Sequence, residues 1–104
     1  MGAYDLPPGV VCSVVRHEDG GRLEIRGRVI SPQALQGKYV LQIKRTGPSG
    51  SSTVKQGGPF DLAAGTETFL GLANLNLEPG ATVSTDFSLQ IGDGVKLCEQ
   101  GDGQ

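Results

Sequence analysis

Ala81-Thr-Val-Ser-Thr-Asp-Phe-Ser-Leu-Gln-Ile91 is the stretch that decides the fold. Val83, Thr85, Phe87, Leu89 and Ile91 alternate with Thr82, Ser84, Asp86, Ser88 and Gln90. A period of two sustained over that length is the pattern of a strand with one buried and one wet face. Glu78-Pro79-Gly80 before it and Gly92-Asp93-Gly94 after it carry turn chemistry. The remaining segments read as strands that seek a place beside this one or opposite it.

Before it, the chain reads as a succession of short strands. Residues 1–9 form an extended lead-in around Pro7 and Pro8. Val10 to His17 is a first strand, with Cys12 and Val14 on one face and Val11, Ser13 and Val15 on the other. Glu18-Asp19-Gly20-Gly21 predicts a hairpin turn. Arg22 to Ile30 follows, pointing Leu23, Ile25, Gly27 and Val29 inward and Arg22, Glu24, Arg26 and Arg28 outward. Ser31 to Gly37 predicts a crossover to a second sheet.

Lys38 to Thr46 is a third strand with Tyr39, Leu41 and Ile43 facing in. Beyond the Gly47-Pro48-Ser49-Gly50 turn, Ser51 to Gly57 is polar apart from Val54, which predicts an edge strand. Gly58 to Gly65 reads as a loop. Thr66 to Leu77 is a fifth strand with apolar residues on both parities, as a centrally covered or bulged strand would have. Val95 to Cys98 is a seventh. The folded domain is expected over 10–98 and a frayed tail over 99–104. Seven short strands with regular turn signals predict an all-β fold, an immunoglobulin-like seven-stranded antiparallel sandwich, with a small barrel as the alternative.

A chain of 104 residues is expected to form one domain. A net charge of −2 argues against a general nucleic-acid binder. No apolar run is long enough to insert in a membrane. Met1 to Asp5 is too polar and short for a signal peptide, so an exported protein would be in its mature form here. Cys12 and Cys98 are too few for a zinc site. They are read either as a disulfide between the first and last strands or as two buried thiols.

The search for catalytic chemistry returns little. His17, the single histidine, stands beside Glu18 and Asp19 at a strand end and reads as a solvated residue. There is no nucleophile elbow, phosphate loop or HExxH helix, and Asp93 and Asp102 lack calcium-loop spacing. No enzyme activity, metal or cofactor is expected. Charge is distributed more tellingly. Residues 16–45 hold seven cations (Arg16, Arg22, Arg26, Arg28, Lys38, Lys44, Arg45) and three anions (Glu18, Asp19, Glu24). Arg22, Arg26 and Arg28 share one outward strand face, with Arg16 expected beside them. That face is read either as a cationic patch for a polar or anionic partner or as an ordinary solvated sheet face.

Two stretches carry a family likeness. Residues 47–67, from the Gly-Pro-Ser-Gly turn through Ser-Thr-Val-Lys-Gln-Gly to Phe60-Asp-Leu-Ala-Ala-Gly65, resemble the middle of the CsgH-type curli assembly proteins. Cys12-Ser-Val-Val15 and Gly21-Arg-Leu-Glu-Ile-Arg-Gly27 resemble the opening strands of that family. The resemblance runs over residues 10–98. It implies an immunoglobulin-like domain of the bacterial periplasm, a chaperone-like inhibitor that keeps the amyloid-forming curli subunit from polymerising early. The related CsgC branch carries a Cys-x-Cys pair, which Cys12-Ser13-Val14 lacks, and this disfavours an oxidoreductase role. The family supplies no motif that fixes binding residues. Arg16, Arg22, Arg26 and Arg28 are the candidates on charge alone, acting in a monomer, and the polar edge over Ser51 to Gln56 is the rival location, where a growing sheet would be capped by backbone pairing. A structural or adhesin module of a surface fibre is the competing function.

Overall fold

The computed structural model describes residues 9–99. Residues 1–8 of the expected lead-in and 100–104 of the expected tail lie outside them. Seven antiparallel strands follow one another: β1 (Val11–Asp19), β2 (Arg22–Ile30), β3 (Leu35–Gly47), β4 (Gly50–Leu62), β5 (Thr68–Asn76), β6 (Thr82–Ile91) and β7 (Gly94–Glu99). They form a three-stranded sheet in the order β1-β2-β5 and a four-stranded sheet in the order β4-β3-β6-β7. This is the expected immunoglobulin-like sandwich, with the fourth strand joined to the larger sheet.

The core lies where the inward parities meet. Leu23, Ile25, Val29, Leu70 and Ala73 face Leu35, Leu41, Ile43, Phe60, Leu62, Val83, Phe87 and Leu89. Phe87 is fully buried, and its ring lies against Gly27 of the opposite sheet. A β-carbon at Gly27 would fall 2.5 Å from Phe87 Cζ and 2.8 Å from the Leu70 carbonyl oxygen, so only glycine fits there.

Two segments depart from the sequence reading. The loop expected over Gly58 to Gly65 is strand as far as Leu62, because Leu35 to Lys38 extends β3 and supplies Leu62 to Pro59 with partners. Phe60 and Leu62 are buried there. Pro59 is tolerated because β4 is an edge strand, as its polar first half predicts. β5 is also an edge and is not covered on both sides. Its blurred alternation comes from a bulge: Arg26 pairs with Leu72 and Gly27 with Leu70, leaving Gly71 over. Gly71 has φ +77°, a conformation open to glycine at little cost. The extra residue reverses parity, so Leu70 and Ala73 point inward while Phe69 and Leu72 point to solvent.

The sandwich is tied at both flanks. On one, Cys12 of β1 and Cys98 of β7 are joined in a disulfide with a Cα–Cα distance of 5.3 Å, 86 residues apart in sequence. On the other, the Gln56 amide of β4 clasps the backbone of Leu72 in β5. Gln56 Nε2 donates to the Leu72 carbonyl at 2.7 Å, and the Leu72 N–H donates to Gln56 Oε1 at 2.9 Å. At one end the Glu78 carboxylate accepts from the Ser49 N–H at 3.0 Å and the Ser49 hydroxyl at 2.7 Å. The backbone N–H of Ser49, then its hydroxyl, then the Arg45 guanidinium hold the Glu78 carboxyl below the usual range.

Three expected outcomes follow from this packing. Phe87→Ala should cost ~3–5 kcal/mol in urea melts, whereas Ser88→Ala and Thr82→Ala should stay within about 0.5 kcal/mol. Equal losses at both parities would contradict the register. The oxidised protein should show no free thiol under denaturing titration, and reduction should lower its melting temperature, since closing so long a loop is worth ~4–5 kcal/mol in the chain-entropy model. Two titratable thiols in oxidised protein would contradict the bridge. Glu78, with its folded pKa depressed, should add stability that is complete above the ordinary carboxylate range. That stability should fade as pH falls through the lowered folded value. Glu78→Gln should remove this part of the acid dependence, and an unchanged pH profile would show that the carboxylate latch is idle.

Candidate functional site

The outer face of the three-stranded sheet gathers three of the four candidate arginines. Register sets its rows: Asp19 opposite Arg22 opposite Asn76, Val15 opposite Arg26 opposite Leu72, and Ser13 opposite Arg28 opposite Phe69. The Arg26 guanidinium carbon lies 4.2 Å from the centroid of the Phe69 ring. An exposed cation–π contact of this kind is worth about 0.5–1 kcal/mol and holds both groups in place. Phe69 is 41% exposed and Leu72 50%, so the face presents apolar surface as well as charge.

The field of this face is smaller than the arginine count implies. Arg28 pairs with Glu67, Arg26 Nε lies 3.8 Å from Glu24, and Arg22 stands across from Asp19. Three carboxylates therefore stand among three guanidinium groups. Long-range attraction is weak under such balance. What remains is short-range: guanidinium planes, an aromatic ring and a leucine side chain in adjoining rows of one face.

Arg16 does not belong to this face, contrary to the expectation from sequence. It shares the parity of Cys12 and Val14, which turn toward the core. Its Nη2 donates to the hydroxyl of buried Thr85 across the sandwich at 2.9 Å. The β-branched hydroxyl of Thr85 would otherwise be a costly buried polar group, and a long side chain entering from the open end satisfies it. Arg45 behaves alike from the other sheet, its Nη1 donating to the Asn76 carbonyl at 3.0 Å. Arg16 instead lines a cleft of about 600 Å³ with Glu18, Leu23, Leu77, Glu78 and Val83.

Sequence reasoning missed Phe69 and Leu72. The signal was present as the apolar residues on both parities of the fifth strand, which a bulge at Gly71 converts into two outward side chains. The opposite outer face carries Lys38, Lys44 and Lys55 with exposed Val40, Val95 and Leu97. Asp86 stands across from Gln42 there, between the rows of Lys38 and Lys44. Among the described residues no group of three or more His, Cys, Asp or Glu side chains is placed to hold a metal ion. Among the described residues no helix is long and apolar enough to cross a membrane.

Comparison with known proteins agrees with this architecture. The solution structure of R. palustris CsgH is 23% identical in sequence. The match covers 88% of this chain and 91% of that one, with a TM-score of 0.73. The E. coli curli protein CsgC is 21% identical over 86% of this chain and 97% of its own, also with a TM-score of 0.73. At these identities the likeness speaks to the fold. No curated protein sequence gives a match. The family model described as CsgH protein matches residues 11–101, nearly the whole chain, and the chain belongs to the CsgH family.

Proposed function

We propose that this protein is a periplasmic, chaperone-like inhibitor that holds an amyloid-forming curli subunit back from polymerisation, acting as a monomer. Membership of the CsgH family supports the setting, as does the shared fold of the E. coli curli protein CsgC. The Cys12–Cys98 disulfide suits an oxidising compartment. The observation that carries the reading is the cluster of Arg26, Phe69 and Leu72 on the outer face of the three-stranded sheet, with Arg26 over the Phe69 ring and Leu72 opposite it in register, and Arg22 and Arg28 on the same strand. A nascent amyloid chain exposes extended backbone and side chains that have not found partners. A rigid face offering guanidinium planes and apolar surface together binds such a chain weakly, through side-chain stacking and carboxylate or amide contacts. Weak binding suffices, because an inhibitor of early assembly needs to engage its client only until export.

Arg22, Arg26 and Arg28 are the proposed contact cations, and Phe69 and Leu72 the proposed apolar anchors. Arg16 acts inside the fold. Fibre-growth assays with a purified curli major subunit test this. The parent should lengthen the lag. Replacing Arg22, Arg26 and Arg28 by serine, or Phe69 and Leu72 by serine, should leave the unfolding free energy from urea melts within about 1 kcal/mol of the parent. Either variant should need about tenfold more protein for the same delay, as the loss of one good anchor costs. Salt should relieve inhibition only in part, since much of the contact is short-range. A parent that leaves the lag unchanged contradicts the inhibitor role. Two variants as potent as the parent contradict the location. Incorporation of the chain into the fibres would instead support a structural module.

A further inference from the structure

The long edge of the four-stranded sheet is open where it leaves the arginine face. β4 pairs with β3 from Gly50 to Leu62 and is the last strand of its sheet. At Gln56 its outer flank is tied to β5 by the clasp on Leu72. Before that point Gly50, Ser51, Ser52, Thr53 and Lys55 are exposed.

Pro59 indicates which backbone groups face outward. It pairs with Lys38 and has no N–H to donate, and a proline inside a strand sits where its nitrogen faces away from the neighbour. Backbone direction alternates residue by residue in an antiparallel ladder. Ser51, Thr53 and Lys55 therefore turn their N–H and C=O groups outward with Pro59, while Ser52 and Val54 give theirs to β3. Sheet proteins blunt such edges with charges, prolines, bulges or short strands. Here Lys55 is the one charged residue between Gly50 and Gln56, and the side chains of Ser51, Ser52 and Thr53 are small enough for another strand to lie alongside.

We infer that Gly50–Lys55 is a strand-docking edge that takes an extended, uncharged segment of the amyloid-forming client by backbone pairing. The client named here rests on the inhibitor role proposed above. Continuity favours this occupant: the edge begins at Gln56, whose amide holds Leu72, and Leu72 belongs to the exposed row of the arginine face. A chain held on that face lies beside the edge. The edge also ends the ladder it joins, because β3 behind β4 is already paired on its far side with β6. A growing sheet that adds to β4 has no further strand to template from the sandwich. Face and edge then have separate effects: the face delays nucleation, and the edge stops elongation.

Seeded elongation isolates the second effect. Fibre seeds of the curli subunit are extended with soluble subunit in the presence of substoichiometric parent, Thr53→Pro or Thr53→Lys. Thr53→Pro removes an outward N–H and spares the β3 ladder, so circular dichroism and the urea midpoint should match the parent. It should need about tenfold more protein to slow elongation equally, while the arginine and Phe69/Leu72 variants should slow it as the parent does. A folded Thr53→Pro protein that slows elongation as well as the parent overturns the inference. If that variant fails to fold, Thr53→Lys gives the same decision, since a lysine on the edge opposes pairing without removing a backbone group. A parent that lengthens the lag and leaves seeded elongation untouched also overturns the edge inference and spares the inhibitor role. A parent that affects neither overturns both. Concentration-dependent dimerisation abolished by Thr53→Pro would assign the edge to a second copy of this chain and overturn the client.

Discussion

The ring of Phe87 resting on the bare backbone of Gly27 sets the geometry on which the remaining structure depends. It fixes how closely the two sheets approach at their centre, since a single methyl group at position 27 would meet Phe87 Cζ at 2.5 Å. The same point on β2 is where the ladder to β5 slips by one residue, from Arg26 opposite Leu72 to Gly27 opposite Leu70. The slip turns Phe69 and Leu72 outward and places Phe69 under the Arg26 guanidinium. A packing constraint in the core is in this way connected to the surface chemistry of the candidate face.

The flanks are closed by unlike devices because they have unlike tasks. Where β1 and β7 meet, two edge strands of different sheets are joined covalently by Cys12 and Cys98. That link stabilises chiefly by restricting the unfolded chain. Where β4 and β5 meet, one glutamine amide supplies a donor and an acceptor to a single exposed residue, each hydrogen bond worth about 0.5–1.5 kcal/mol net. This lighter clasp leaves the first half of β4 with an open backbone edge. At the end of the sandwich long polar side chains do the closing: Arg16 reaches Thr85, Arg45 reaches the Asn76 carbonyl and Glu78 holds the Ser49 turn.

Strands with clean alternation were legible in the sequence: β2, β3 and β6 bury the residues that the period of two assigns to the core, apart from Tyr39 and Ile91, which are half-buried at its margin. So was the polar edge, because a strand with Val54 alone among Ser, Thr, Lys and Gln offers little to bury. The second half of β4 was hidden by Gly57, Gly58 and Pro59, which read as a loop until the extension of β3 supplies them with partners. The side of β1 to which Arg16 belongs follows from strict alternation with Cys12 and Val14. A charged residue on an inward parity is nevertheless read as surface unless a buried hydroxyl such as Thr85 is known to lie opposite. The balance of charge on the arginine face was also out of reach, since Glu67 meets Arg28 only through tertiary structure.

A sandwich of this size has two broad outer faces, and the proposed client site lies on one of them and on the edge beside it. Amide chemical-shift and line-width mapping of the folded protein during titration with soluble curli subunit tests this most directly. The account predicts perturbation concentrated at Arg26, Phe69 and Leu72 and along Ser51 to Lys55, with Val40, Val95 and Leu97 on the opposite face unchanged. Perturbation centred on Val40, Val95 and Leu97, with the Arg26 and Thr53 amides unmoved, would contradict it.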